Sequence, residues 1–339
     1  VHEDMPVPSG SVKTTAEIAA TLRVGKRGRT NHAIPVTCAL NLPDADLLLN
    51  PYVLGAWLGD GGRGSGVICG MDQPIMDEVA ADGWALGARR PVRPGSPAFT
   101  QCFLGLRTRL RAVGVLHRKF IPPEYLRASE GQRLALLQGL MDTDGTVSDC
   151  GVPEFNTSTR ALADGVYELI VSLGWKARLV ESRAKLNGKD YGPCWSIKWT
   201  PDKLVFLLPR KRDKQKLATR RVTKFRYIVS CERCPSVPMR CLTVDSPSGL
   251  FLVGRSMIPT HNTSWLVGTP IRQQYKTIIF RREYTEFREI DTQISEIVGD
   301  LGRWHGKYRT WHLPGGRALR YGAAKSDQDC RGFRGDPHD

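Results

Sequence analysis

The chain has little that would tie it to a membrane or to an oxidising compartment. No apolar run approaches the roughly 20 residues that span a bilayer, and no secretory signal opens the sequence. Its nine cysteines are scattered and odd in number. The one C-x-x-C pair, Cys231 and Cys234, has no second pair or His cluster to complete a zinc site. That pattern reads as free thiols in a reducing, cytoplasmic setting. Acidic charge is also scarce: 34 Asp and Glu stand against 49 Lys and Arg, for a net +15. Such a balance favours a polyanionic partner, nucleic acid first, over the plainer alternative of a soluble basic protein. Hydrophobic residues make up 41% of the chain, which excludes wholesale disorder. At 339 residues, two or three domains are expected.

Residues 1 to about 45 are polar, with one helix around Thr15 to Leu22 and a basic patch, Lys26-Arg27-Gly28-Arg29. A helix then opens at Asn50-Pro51, where Asn suits the N-cap and Pro the first turn. It runs to Asp60 and stops at Gly61-Gly62, which predict a left-handed cap. A second helix has the same grammar: a Ser129-to-Gln132 capping box, then Leu134 to Asp144, then Gly145. Short β-prone stretches and another helix follow each of them. In the first copy these are Gly66 to Cys69 and Pro74 to Leu86. In the second they are Val152 to Thr157, Ala161 to Leu173, Lys176 to Val180 and Trp195 to Trp199. The chain thus carries an internal duplication offset by 84 residues, from Asp60 to Asp144.

Each duplicated helix ends on an acid. The helix C-terminus carries partial negative charge, so a carboxylate there costs several tenths of a kcal/mol. One such acid is an ordinary Asp-Gly turn; two at matching positions point to function. The same helices carry small residues four apart, Gly55 and Gly59, then Gly139 and Thr143. That spacing lets two backbones meet closely. If these faces pack, Asp60 and Asp144 converge, and two carboxylates that resist ionising together call for a cation. Mg²⁺ takes oxygen ligands and activates water against a phosphodiester.

These segments, Val53 to Gly61 and Leu137 to Gly145, resemble the paired motifs of LAGLIDADG homing endonucleases. The first departs in its middle, with Trp57-Leu58-Gly59 where an acid often stands. The resemblance implies a duplicated αββαββ domain over residues 45–215, monomeric but pseudo-dimeric, acting on double-stranded DNA. It makes Asp60 and Asp144 the metal-binding catalytic acids. His117 to Pro122 is similar to the family's Lys-x-Ile-Pro element, so Lys119 becomes a candidate to polarise the phosphate or the attacking water; a plain phosphate-contacting lysine is the equal alternative. Lys198 is a weaker counterpart on the second half. Arg107, Arg109 and Arg111 alternate as on one face of a strand or its exit and are candidate DNA contacts, though each alone is more often a solvated charge.

A second site lies at His261-Asn262-Thr263. An Asn side-chain amide can attack its own carbonyl to form a succinimide and break the next peptide bond. An adjacent His can supply the proton that the leaving amine needs. The run from Cys241 to Val253 followed by His261-Asn262 resembles the C-terminal block of inteins. That implies His261 as assistant, Asn262 as the cyclising residue, Thr263 as downstream nucleophile, and Cys241 as either an assisting residue or a buried thiol. No opening Cys or Ser with a Thr-x-x-His block is present, so the chain is expected to begin inside the intein, with the N-terminal intein segment and N-extein as missing partners.

After Asn262 a helical stretch leads to a strand, Thr277 to Phe280, and a charged helix. Thr263-Ser264 could complete a Walker A loop. Ile279 to Phe287 and Asp329 to Gly335 resemble a phage terminase large subunit, implying an α/β P-loop ATPase fragment in a phage-infected or prophage-carrying cell. The expected organisation is therefore an intein remainder at 1–44, the nuclease at 45–215, the end of a β-rich Hint module at 216–262, and a host fragment at 263–339. Three other readings stay open: a degenerate DNA-binding insert, a free-standing DNA-cleaving enzyme with a chance His-Asn-Thr, and an ATP-driven packaging motor alone.

Overall fold

The computed structural model describes residues 13–187, 189–234, 244, 250–261, 276–281 and 283–323. They form a mixed α/β protein with several small sheets, divided into two compact units. The larger unit comprises Thr21–Ser230 with Gly254–Ile258.

Two helices form the centre of this larger unit. Helix α1, Pro51–Asp60, starts as its sequence dictates: Pro51 sits in the first turn, and the Asn50 side chain accepts from the Tyr52 amide at 2.9 Å. After α1 come β1 (Val67–Gly70), α2 (Gln73–Ala81), β2 (Leu86–Pro91), β3 (Phe99–Phe103) and α3 (Leu106–Val113). A short helix, α4 (Pro123–Leu126), leads to α5, Glu130–Thr143. The expected capping box is formed, with the Gln132 amide donating to Ser129 Oγ and the Ser129 amide to Gln132 Oε1. Then follow β4 (Gly145–Val147), β5 (Pro153–Thr157), α6 (Arg160–Ser172), β6 (Ala177–Leu186) and β7 (Lys189–Trp199).

The duplication is visible in the hydrogen bonding. The second half forms a sheet ordered β4-β5-β7-β6. The first half forms β1-β3-β2, and a single antiparallel bridge from Gly61 to Ile68 stands where the second half has β4 paired with β5. Both halves therefore follow one αββαββ order, with the first strand of the first copy reduced to one bridge. Alternation along β7 buries Trp195, Ile197 and Trp199 and leaves Lys198 outside. The buried faces of both sheets and both central helices share one core, which includes Leu54, Trp57, Leu58, Leu137, Leu140 and Phe155.

Two local expectations are corrected. Arg107, Arg109 and Arg111 lie on α3, a helix rather than a strand. Leu106 and Leu110, four apart, are buried on its core face, and the three arginines are exposed around the rest. Residues two apart on a helix point in nearly opposite directions, so only Arg107 and Arg111 share a face. Nor is the end of α1 left-handed: Gly61 is extended at φ −76°, ψ 143°. Glycine is needed there for a close approach, since a Cβ would sit 2.3 Å from the Trp57 carbonyl oxygen. Gly145 is the same case, 2.5 Å from that of Met141. After each acid the chain folds back over its own last turn.

In the second unit β8 (Lys276–Arg281) runs parallel to β11 (Arg317–Ala323), and β11 continues antiparallel through β10 (Thr310–Leu313) to β9 (Arg303–His305). Helix α7, Arg288–Val298, buries Ile294 and Val298 in this unit's core. Phe287 stacks on Tyr321 at 4.4 Å, and the Tyr321 hydroxyl donates to Asp291. The expected strand and charged helix after Thr277 are thus present. Strands also occur at Leu250–Val253 and Ile258–His261. Cys241, Asn262 and Thr263 lie outside the described residues, as do Asp329 to Gly335 and the side chain of His261.

Candidate active site

The site is made by α1 and α5 meeting backbone to backbone. A Cβ on Gly55 would fall 2.2 Å from the Leu136 carbonyl oxygen, and one on Gly139 would fall 2.2 Å from that of Tyr52. A Cβ on Gly59 would fall 2.0 Å from Thr143 Oγ1. The small-residue faces read from the sequence are therefore the contact itself. Side chains that would hold the helices apart are absent, so the two helix ends arrive together.

Asp60 and Asp144 meet at these helix ends, close enough for each to act on the other's charge. Burial pushes the Asp60 carboxyl up to about 6, the nearby Asp144 charge pushes the same way, and Lys119 and Lys211 oppose both. Burial also raises Asp144, against the pull of Lys119 and Lys211. Asp144 nevertheless keeps an exposed side, so crowding of its carboxyl does not close the site to solvent. Without a cation, Asp60 holds a proton below about pH 6 and loses it above that value.

Lys119 reaches this pair from the segment between the halves. His117, at φ +70°, turns the chain and donates its amide to Arg63 O at 2.7 Å. Ile121, buried against Gly165, anchors the other side. Between them the Lys119 ammonium donates to the Gly59 carbonyl and stands 5.7 Å from the centre of the Trp57 ring. Burial lowers its pKa, and Asp144 and Asp60 act against that.

Sequence reasoning missed the partner of Lys119. Lys211, in a helical turn at Pro209–Arg212, is 6% exposed. Its ammonium serves the carbonyls of Met141 (3.0 Å), Asp142 (2.6 Å), Thr143 (2.9 Å) and Gly145 (2.7 Å). Three N–H donors thus cover four acceptors at the bare end of α5 and offset its negative pole. Burial, then Arg210, pulls Lys211 down to about 8. Gly59 and Thr143 are equivalent under the 84-residue offset, so each half presents one lysine to the same carbonyl. Arg210, next in the chain, holds Asp72 at the start of α2 with two bonds of 2.8 and 2.6 Å.

A third acid, Asp142, has a different task. It is 1% exposed and accepts from the Tyr52 hydroxyl at 2.9 Å and from the amides of Leu207 and Leu208, both at 3.0 Å. It joins α1, α5 and the segment carrying Lys211. Its equivalent in the first half is Leu58, fully buried, which accounts for the missing acid in the first motif. Lys198 lies on β7 as expected and pairs with Glu154 at 3.1 Å.

Two carboxylates with unresolved mutual repulsion fit a divalent cation bound through oxygen. Such an ion would be held by Asp60 and Asp144 and would supply Lewis-acid activation of water against a phosphate. No group of three or more His, Cys, Asp or Glu that could hold a metal occurs among the described residues.

Comparison with known proteins bears on the second half of this domain and on the chain as a whole. Residues 131–219 match the LAGLIDADG-like domain family, which covers α5, its acid, the second sheet and Lys211. A LAGLIDADG-like domain implies a homing-endonuclease or intein-type function, acting on DNA. The chain is 35% identical over 315 residues to the replicative DNA helicase DnaB of Mycobacterium intracellulare, covering 91% of this chain and 50% of that protein. It is 33% identical over 94 residues to the replicative DNA helicase DnaB of Mycobacterium leprae (strain TN), covering 26% and 14%. The chain thus spans at most half the length of these relatives. A match over 91% of the chain extends past Asn262, so the terminase host expected from the downstream segment is replaced by a similarity to replicative helicases. No helix among the described residues is long and apolar enough to cross a membrane.

Proposed function

We propose that this chain is an intein-borne LAGLIDADG homing endonuclease that makes metal-dependent double-strand cuts in DNA, and that its downstream segment belongs to a host similar to a replicative helicase. The observation that carries the nuclease reading is the convergence of Asp60 and Asp144 at the ends of two glycine-packed helices. In this reading the pair holds Mg²⁺. Lys119 polarises the scissile phosphate or the water. Arg107 and Arg111, which share a face of α3, and Lys198 contact the duplex, with Arg109 turned to the other side of the helix and Lys198 having to exchange Glu154 for a phosphate. The nuclease occupies 45–215, splicing segments flank it at 1–44 and 216–262, and the host begins at Thr263.

The cleavage half is tested with duplex DNA carrying the uninterrupted host-gene junction and Mg²⁺. Cutting by the wild type and its loss in Asp60→Asn and Asp144→Asn is expected; equal behaviour of all three removes the catalytic assignment. The splicing half rests on the likeness of Cys241 to Val253 and His261-Asn262 to an intein C-terminal block. Mass spectrometry after supplying the upstream segment in trans should find a product ending at Asn262, with His261 assisting and Thr263 as acceptor. Absence of that product in wild type, or its persistence in Asn262→Ala, removes the reading. Cys241→Ala should slow the step if Cys241 assists it.

A further inference from the structure

Several described basic side chains around the nuclease core have an acid partner, among them Arg160 with Asp164, Arg183 with Asp190, Lys198 with Glu154, Lys203 with Glu130, Arg210 with Asp72 and Lys224 with Asp202. The basic patch at Lys26 to Arg29 is different. It is a β-hairpin, with Arg23 paired to Thr30 and Val24 to Arg29, and all of residues 23–29 are exposed. Gly25 and Gly28, at φ +71° and +59°, make its tip. The Asn31 side chain bonds the Thr21 carbonyl, Thr21 bonds His32, and Arg23 donates to the Val229 carbonyl at 3.0 Å, which braces the base.

Among the described residues, the side chains of Lys26, Arg27 and Arg29 take no ion pair and no hydrogen bond. No acid occurs in the sequence between Glu17 and Asp44. Like charges gathered on a two-strand ribbon repel one another and oppose folding. Among the described residues, this concentrated positive charge has no acid partner.

We propose that the hairpin Arg23–Thr30 is a phosphate-binding finger that contacts duplex DNA from outside the nuclease domain. The proposal rests on the DNA-cleaving reading above and extends the DNA contact to the segment preceding residue 45. A braced ribbon with a glycine tip can approach a phosphate backbone closely, and its three uncommitted cations match that charge. The contact is carried by charge on the phosphates, the part of a duplex that is the same at every base sequence.

The test is equilibrium binding of the full chain, in EDTA, to a mixed-sequence duplex of about 40 base pairs across a salt series. The triple variant Lys26→Gln, Arg27→Gln, Arg29→Gln is compared with wild type. Each phosphate that the protein no longer neutralises flattens the slope of log K against log salt by about 0.9, so a change of about 2 to 3 is expected. The charge-keeping variant Lys26→Arg, Arg27→Lys, Arg29→Lys should keep the wild-type slope, and neither variant should melt below wild type. An unchanged slope in the glutamine variant overturns the finger and leaves the nuclease reading standing. Wild type that shows no salt-dependent duplex binding overturns both.

Discussion

Asp60 and Asp144 converge across the junction of α1 and α5, close enough for each to act on the other, and burial raises both carboxyls. A raised folded-state pKa means that the folded chain binds more protons than the unfolded one. The pair's contribution is then fully present below the unfolded value near pH 4 and is lost as pH rises through about 6. In EDTA, Asp60→Asn should melt higher than wild type at pH 7.5 and alike at pH 4.5. Mg²⁺ should raise the wild-type melting temperature at pH 7.5 and not that of the variant. Melting curves at the two pH values check both.

Helix contact at Gly55 and Gly139 leaves no room for a methyl group. Gly55→Ala or Gly139→Ala should cost about 3 kcal/mol, the upper range for overpacking, because the obstruction is backbone. Gly131, in α5 with nothing within 4 Å of its Cβ position, is the control. Gly131→Ala should be neutral or stabilise by up to about 1 kcal/mol. Urea unfolding measures all three.

The acids Asp142 and Asp144 are two positions apart and should respond oppositely. Asp142→Asn loses acceptor capacity toward Tyr52, Leu207 and Leu208 and should destabilise by about 1 to 3 kcal/mol. Asp144→Asn should retain or gain stability and lose metal binding. Calorimetric titration with Mg²⁺, alongside melting, separates the two roles.

Lys211→Met leaves four carbonyl oxygens at the end of α5 without their donor and should cost about 3 kcal/mol. Lys119→Met removes one such bond and should cost about 1 kcal/mol while abolishing DNA cleavage. Comparable melting temperatures for the two variants would contradict the difference in their surroundings.

The legible parts of this protein were those written locally. Asn50-Pro51, the Ser129-to-Gln132 box and the four-residue spacing of Gly55 and Gly59 each act within a turn or on one helix face, so their meaning survives without tertiary knowledge. Lys211 was not legible, because its purpose is fixed by carbonyls about 70 residues earlier in the chain and its neighbours Arg210 and Arg212 hide it in a basic run. Arg107, Arg109 and Arg111 misled because alternation of charge was read as a strand while Leu106 and Leu110 kept the helical period. The downstream host was misassigned from two short charged stretches whose residue types fit more than one nucleotide-handling protein.

Arg210 and Lys211 are neighbours, yet one grips the first copy and the other the second. A single peptide unit therefore fastens the molecule like a clasp. A protease nick between Lys203 and Gln215 would uncap α5 and release Asp72 at once, so the two copies should not persist as separable pieces.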